Sequence, residues 1–136
     1  MISEEDLERA KTASLLAKKD LEAAISFYDD DEQHQNCGLH FQQAAEKLIK
    51  TLIHIYGGNF SYRKGHIMGY LREELDKTGY DLDSKFEKLD ALEIYAVDGR
   101  YMVLSDDDKE DLSEHRPLIE DLLEVASREL DRVQES

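Results

Sequence analysis

The sequence predicts an all-α protein, an antiparallel up-and-down bundle of four to six helices. Apolar residues recur every three or four positions through most of the chain, which is the spacing of one helix face. One proline and seven glycines leave few helix breakers among 136 residues, and no segment alternates as a strand does. Helices joined by short loops pack in antiparallel pairs, and residues 1–136 are expected to form one domain.

The first helix is predicted to begin at Ser3, whose hydroxyl can cap it, with Asp6 at the third helical position. The acidic run 29–32 should end it, because acids oppose the negative end of the helix dipole. A cation site in that run is the lesser alternative to a solvated turn, since the run has no loop glycine and no ligand spacing. The face of this first helix that is predicted to point inward consists of residues three or four positions apart: Leu7, Ala10, Ser14, Ala17, Leu21, Ala24 and Tyr28.

The strongest helical segment runs from Asn36, a candidate N-cap, to Tyr56, with Gly57 as its stop. The single cysteine, Cys37, lies on its apolar face and is expected to be a small core residue rather than a nucleophile. That face consists of Cys37, Phe41, Ala44, Ala45, Leu48, Leu52 and Ile55.

Two shorter helices are predicted next. One runs from His66 to Thr78, is stopped by Gly79, and turns Ile67, Tyr70, Leu71 and Leu75 inward. The other covers residues 84–97, and its core-facing residues are Phe86, Leu89, Leu92 and either Tyr95 or Ala96.

The start of the C-terminal helix has two alternatives. Ser105 could cap a helix over residues 106–112, or Ser113 could open a later helix with Pro117 in its first turn, where a missing N–H does little harm. The preferred interpretation is a short acidic helical turn before a main helix that begins near Glu114. The predicted buried stripe of that helix is Leu118, Leu122, Val125, Ala126, Leu130 and Val133.

The charge of the chain restricts its partners. The 32 acidic and 17 basic residues give a formal net charge of −15. This disfavours broad binding to a nucleic-acid backbone, because phosphate contacts need clustered lysine and arginine, but it permits a small basic site or a basic partner. No apolar run reaches the length of a membrane span and no signal-peptide pattern opens the chain, so a cytoplasmic location is expected.

Basic and aromatic residues interleave densely only in the loop before the third helix, where Phe60 and Tyr62 stand beside Arg63, Lys64 and His66. Arg63 and Lys64 precede a predicted helix N-terminus, a favourable position for an anion. His66 could bind a phosphate or receive a proton, although a bond to the neighbouring loop is its more ordinary role.

Arg100 and Tyr101 are the second candidate pair, in a turn before the C-terminal helix. A guanidinium beside a phenol could clamp a phosphate or stack on a base, and anchoring of the turn through Asp98 is the alternative. His40 and His54 lie fourteen residues apart on one helix, too far to share a metal ion. No paired Cys/His spacing occurs, so neither a metal nor a cofactor is expected.

The second helix carries four further candidates. Gln42 and Gln43 cannot face the same way, so at least one is expected to border an interface or groove, together with Glu46 and Lys47. Glu46 and Lys50 also form a favourable i,i+4 pair, which explains part of this pattern by helix stability alone.

Four phrases occur in order along the chain: KDLEAA at 19–24, HFQQAAEK at 40–47, a lone His66, and Arg100-Tyr101. Together they resemble the HEPN domain, from about Leu7 to Leu130, and FQQAAEK is the most specific part. The resemblance implies a helical bundle that commonly dimerises. Many HEPN proteins are metal-independent RNases of toxin–antitoxin, CRISPR and other defence systems. Others pair with a small nucleotidyltransferase, or are thought to bind nucleotides without cutting RNA.

RNase members carry an arginine followed, after four to six residues, by a histidine, and this sequence lacks that spacing. Two residues separate Arg63 from His66, Arg100 has no histidine within seven residues, and His115 precedes Arg116. The preferred interpretation is a noncatalytic HEPN-like homodimer that associates with a nucleotide or RNA, or with a nucleotidyltransferase in a toxin–antitoxin or defence-like module. The alternatives are a divergent RNase that uses Arg63, His66 and Arg100, and a structural dimer or scaffold without a ligand.

Overall fold

Two long helices form the body of the fold. The computed structural model describes residues 2–97 and 109–135, and within them the chain is helical or in turns, without a strand. Helix α1 (Glu4–Phe27) and helix α2 (His34–Ile55) are joined by a short turn with a 3₁₀ segment at Asp31–Gln33, so they pack as an antiparallel pair. The predicted all-α bundle is confirmed.

The remaining elements cover α2 from the other sides. A 3₁₀ turn at Tyr62–Lys64 leads into α3 (Met68–Lys77). The predicted fourth helix is a 3₁₀ segment, Ser84–Leu92, that continues as the short helix α4 (Glu93–Val97). Helix α5 (Leu112–Glu135) closes the bundle. In the described ranges no helix is long and apolar enough to cross a membrane.

Helix α2 is the centre of the core, as its apolar periodicity predicts, because it packs against α1, α3, α4 and α5. Cys37 is buried among these residues, and burial raises the pKa of its thiol to about 11, so it is a core residue rather than a nucleophile. The largest fully buried side chains come from α2 itself and from the elements around it: Tyr95, Phe41, Phe86, Leu48, Ile49, Leu52, Ile53, Met68, Leu71, Leu75, Leu89 and Leu92.

Several local predictions are confirmed. The Ser3 hydroxyl accepts a hydrogen bond from the Asp6 N–H at 3.1 Å and caps α1. Gly57 and Gly79 follow α2 and α3 with φ angles of 72° and 90°, the left-handed conformation that glycine adopts without strain. The acidic run after α1 forms an exposed turn and the start of the 3₁₀ segment.

The prediction that Asn36 caps α2 is wrong. The 3₁₀ segment at Asp31–Gln33 runs directly into the helix, which therefore begins at His34. Asn36 lies inside the first turn, where its side-chain amide donates to the Gln33 side-chain oxygen at 2.6 Å.

The predicted start of α3 at His66 is also wrong. The Glu93 carboxylate accepts a hydrogen bond from the Met68 N–H at 2.6 Å and so caps the helix two residues later. As a result Met68 is fully buried, whereas Ile67, predicted to face inward, is 40% exposed.

Helix α5 begins slightly before its preferred position. Residues 109–111 are not helical, and the Asp111 carboxylate accepts from the Ser113 N–H at 3.0 Å, so Asp111 caps the helix. Pro117 is the sixth helical residue rather than part of the first turn. The buried stripe is shifted from the predicted one because it includes the polar residue His115: Leu112, His115, Ile119, Leu122 and Ala126. The possible helix start at residues 105–108 lies outside the described residues.

The buried residue Tyr95 links α4 to the start of α2 and to the segment before α5. The Tyr95 hydroxyl accepts a hydrogen bond from the Glu110 N–H at 2.9 Å and lies 2.6 Å from Nε2 of His34. The hydroxyl proton is therefore available to donate to that nitrogen. Burial, with a lesser contribution from Lys109, lowers the pKa of His34, in agreement with a neutral imidazole that accepts this bond. Gly38 faces the Tyr95 ring so closely that an added Cβ would lie 2.6 Å from the ring.

Candidate functional site

The three basic residues of the predicted anion site, Arg63, Lys64 and His66, lie on the surface of the loop before α3. Arg63 and Lys64 belong to the 3₁₀ turn, and His66 follows it before α3 begins. All three are exposed, and none forms an ion pair with another described residue, although the Lys64 ammonium lies 5.6 Å from the centre of the Tyr70 ring. The N-terminus of α3 is capped by Glu93, so no anion is needed there. The other predicted pair, Arg100 and Tyr101, lies outside the described residues.

The four candidates on α2 belong largely to internal polar contacts. Gln42 is 1% exposed, and its amide donates to Glu46 at 2.9 Å. The second oxygen of Glu46 accepts from Lys50 at 2.8 Å, which is the predicted i,i+4 pair. Gln43 and Lys47 are half-buried. Gln42 therefore lies in the bundle rather than on an interface or groove.

The sequence did not predict that Asp20 bonds to residues of α2, although Asp20 lies in the KDLEAA segment at 19–24. It is 8% exposed on α1, accepts from Nδ1 of His40 at 3.0 Å, and forms a short hydrogen bond with the Lys47 ammonium. Both oxygens of this carboxylate are thus engaged, and the cluster links α1 to α2. Its signal in the sequence is its position beside the inward face of α1, between Ala17 and Leu21, because a buried acid there requires a partner.

Aromatic, amide, imidazole and guanidinium groups meet in a cleft of about 410 Å³ at one end of the bundle. It lies where the start of α1, the end of α2 and the loop after α2 meet. Its lining side chains come from all three segments: Asp6, Arg9, His54, Asn59, Phe60 and Tyr62. The sequence singled out this loop for its aromatic residues, but it did not predict that Arg9 and His54 join them.

Two aromatic rings give the cleft its apolar surfaces. The Phe60 ring packs 5.6 Å from the His54 ring, and the Lys50 ammonium lies 5.3 Å from its centre. Gly65 permits this packing, since a Cβ there would lie only 3.2 Å from the Lys50 ammonium. Tyr62 is 96% exposed and has a ring free to cover a ligand.

The polar groups of the cleft are mixed in charge. Burial lowers the pKa of His54, with Asp6 opposing the shift and Arg9 adding to it, so the imidazole is mainly neutral at neutral pH. A neutral imidazole has one donor and one acceptor nitrogen. Arg9 pairs loosely with Asp6 at 3.6 Å and keeps more than half of its side chain exposed. The guanidinium also lies 3.8 Å from the Glu5 carboxylate. The cleft thus offers donors, acceptors and one exposed guanidinium.

Other described histidines are engaged elsewhere. His115 is 4% exposed and lies 3.3 Å from the Glu110 carboxylate, while the Arg116 guanidinium covers the Tyr28 ring at 4.8 Å. These neighbours therefore do not form an open arginine–histidine pair. Among the described residues, no group of three or more His, Cys, Asp or Glu side chains could hold a metal ion.

The residues that the structure describes form an all-helical bundle with a small aromatic and polar cleft at one end. The sequence profile of the HEPN domain matches residues 13–131. The chain therefore belongs to the HEPN domain family, and membership supports a nucleotide-binding or RNase-type protein. Neither the curated proteins nor the solved structures include a significant match to this chain.

Proposed function

We propose that this HEPN domain binds a nucleotide in the cleft at the end of the bundle and does not cleave RNA. One observation carries the proposal. Two aromatic rings, a neutral imidazole, an amide and a guanidinium surround a single opening of about 410 Å³. This volume lies within the range of about 300–1,000 Å³ that small-molecule sites occupy.

The aromatic residues suit the base. Tyr62 is 96% exposed, so covering its ring with a base removes apolar surface from water on both partners. Base–aromatic stacking contributes about 1–3 kcal/mol per base and tolerates different bases, because each base has a π face. The Asn59 amide and the His54 imidazole add donors and acceptors for the base edge.

The charges argue for recognition of the base more than of the phosphate. Arg9 is the guanidinium of the cleft, and Asp6 stands beside it. With a net charge of −15, the chain repels a phosphate at long range. Affinity should therefore depend only weakly on salt, as expected when one phosphate is contacted rather than many.

Two features support a function without cleavage. The arginine–histidine spacing of the RNase members is absent from the sequence. His40 and His115 are each bonded to a carboxylate, and His34 to Tyr95. An RNA cleavage that disappears in His66→Ala would contradict this half of the proposal and favour the divergent RNase.

Tyr62→Ala is expected to weaken nucleotide binding about tenfold, because one stacking surface is lost. Arg9→Ala should weaken it less, since 59% of that side chain is already exposed to water. Isothermal titration calorimetry with each of the four ribonucleoside monophosphates checks both results.

Arg128→Ala is the matched control for Arg9→Ala, because Arg128 is an exposed arginine on α5 that does not line the cleft. It should bind as the wild type does. If no monophosphate binds the wild-type protein, or if the control loses as much affinity as Tyr62→Ala, the cleft is not the site and the scaffold alternative gains support.

The homodimer and the nucleotidyltransferase partner of a toxin–antitoxin or defence-like module stay predictions of the resemblance. Leu15 and Leu16, exposed by 55% and 42% on α1, supply apolar surface for a second copy. Light scattering after size-exclusion chromatography tests the dimer, and a mass equal to one chain at micromolar concentration would contradict it. Co-purification with a nucleotidyltransferase encoded beside it tests the partner.

A further inference from the structure

A second cavity, of about 670 Å³, opens beside the cleft at the same end of the bundle. The end of α2 and the last turns of α5 form its walls, and the start of α1 forms its edge. Its lining includes Ile55, Tyr56, Gly57, Arg132 and Asp6.

Tyr56 and Arg132 give this cavity an aromatic ring and a guanidinium of its own. The Arg132 guanidinium lies 5.7 Å from the centre of the Tyr56 ring, and its Nη2 donates to the Tyr56 hydroxyl at 3.2 Å. The same hydroxyl donates in a short hydrogen bond to Glu129. The Tyr80 ring also packs 4.7 Å from the Tyr56 ring, centre to centre. The Tyr56 ring is therefore held in a fixed orientation, and the surface left for a ligand is that of the Arg132 side chain, more than half of which is exposed.

The two cavities are neighbours along the chain and in space. Asp6 lines both. Gly57 lines the second cavity and Gly58 lines the cleft, so the wall between them has two consecutive residues without side chains. A Cβ at Gly57 would meet no atom within 4 Å, whereas one at Gly58 would lie 2.6 Å from the Thr78 side chain, so open space adjoins this wall only at Gly57.

We propose that the two cavities form one groove for two nucleotides joined by a phosphodiester, an inference that rests on the proposed nucleotide binding. One base would stack in the cleft against Tyr62, and the other in the second cavity against the Tyr56 and Arg132 pair. Each cavity supplies an aromatic ring and an arginine, the combination that binds successive bases of a single strand with little dependence on sequence.

Asp6 sets how the ligand lies at the junction. A carboxylate repels a phosphate but accepts hydrogen bonds from the hydroxyls of a ribose. The sugar therefore faces Asp6, and the phosphodiester faces outward toward the exposed guanidinium of Arg9. A free dinucleotide and a two-nucleotide segment of an RNA strand present the same chemistry to the groove.

Titrations with a ribonucleoside monophosphate, the matching diribonucleotide and a hexaribonucleotide test this groove on the full chain. The diribonucleotide is expected to bind about tenfold more tightly than the monophosphate, because a second base stacks. Arg132→Ala should remove that gain, whereas Arg128→Ala, on the same helix and outside both cavities, should keep it. If the hexaribonucleotide binds with the same affinity as the diribonucleotide, the ligand of the groove is a segment of an RNA strand. If the hexaribonucleotide does not bind, the ligand is a free dinucleotide.

The outcomes separate this inference from the proposed function. If the monophosphate binds but the diribonucleotide gains nothing, or if Arg132→Ala keeps the gain, the two-nucleotide groove is wrong and the cleft stands. A hexaribonucleotide with a further large gain would also overturn the two-nucleotide limit. If neither ligand binds, the proposed function itself fails.

Discussion

Phe41→Ala is expected to lower the free energy of unfolding by about 3–5 kcal/mol, the usual cost of emptying a large aromatic site in a core. Phe41 is 0% exposed on α2, the helix against which the rest of the bundle packs. The Tyr28 ring meets it edge-on, with 6.2 Å between the centroids. Because Tyr28 directly follows α1 and Phe41 belongs to α2, the loss would loosen the central helix pair.

Urea denaturation followed by circular dichroism measures this change. The control is Glu124→Ala, since Glu124 is exposed on α5 and its truncation should change the free energy by no more than about 0.5 kcal/mol. If both variants unfold at the same urea concentration, α2 is not the centre of the stable core.

Local signals in the sequence predicted the long helices well because periodicity and caps are properties of neighbouring residues. The inward face of α1 and the apolar face of α2 are buried largely as predicted, and Ser3, Gly57 and Gly79 mark helix ends through their own side chain or backbone angle. The single cysteine also lies where its apolar neighbours predict.

The errors arise where a distant residue decides a local structure. Nothing near His66 in the sequence reveals that the Glu93 carboxylate, twenty-five residues away from Met68, caps α3 and moves its start. The shifted stripe of α5 has a different cause, the polarity of one of its own members. His115 is polar and was not counted as apolar, yet it is buried beside Glu110.

The candidate site shows the same division. The density of aromatic and basic residues in the loop drew attention to Phe60 and Tyr62, and both line the cleft. The basic neighbours Arg63 and His66 are exposed and do not line it. Arg9 joins the cleft only because the antiparallel pairing of α1 with α2 brings the start of one helix to the end of the other, which spacing along the chain does not reveal.

Gly38→Ala is expected to lower the free energy of unfolding by about 1–3 kcal/mol, the usual range for overpacking a core. Its Cβ would lie 2.6–2.7 Å from three carbons of the Tyr95 ring. The ring has little room to retreat, because its hydroxyl is fixed by the Glu110 N–H and by His34. Alanine gains about 1 kcal/mol of helix propensity over glycine, which is smaller than a clash with a fixed ring.

A double-mutant cycle separates the two effects. In a Tyr95→Ala background the ring is gone, so Gly38→Ala should become neutral or stabilise the protein by up to about 1 kcal/mol, the propensity gain alone. Urea denaturation of the four proteins in the cycle measures both steps. A destabilisation of the same size in both backgrounds would mean that glycine is required at this position for a reason other than its contact with Tyr95.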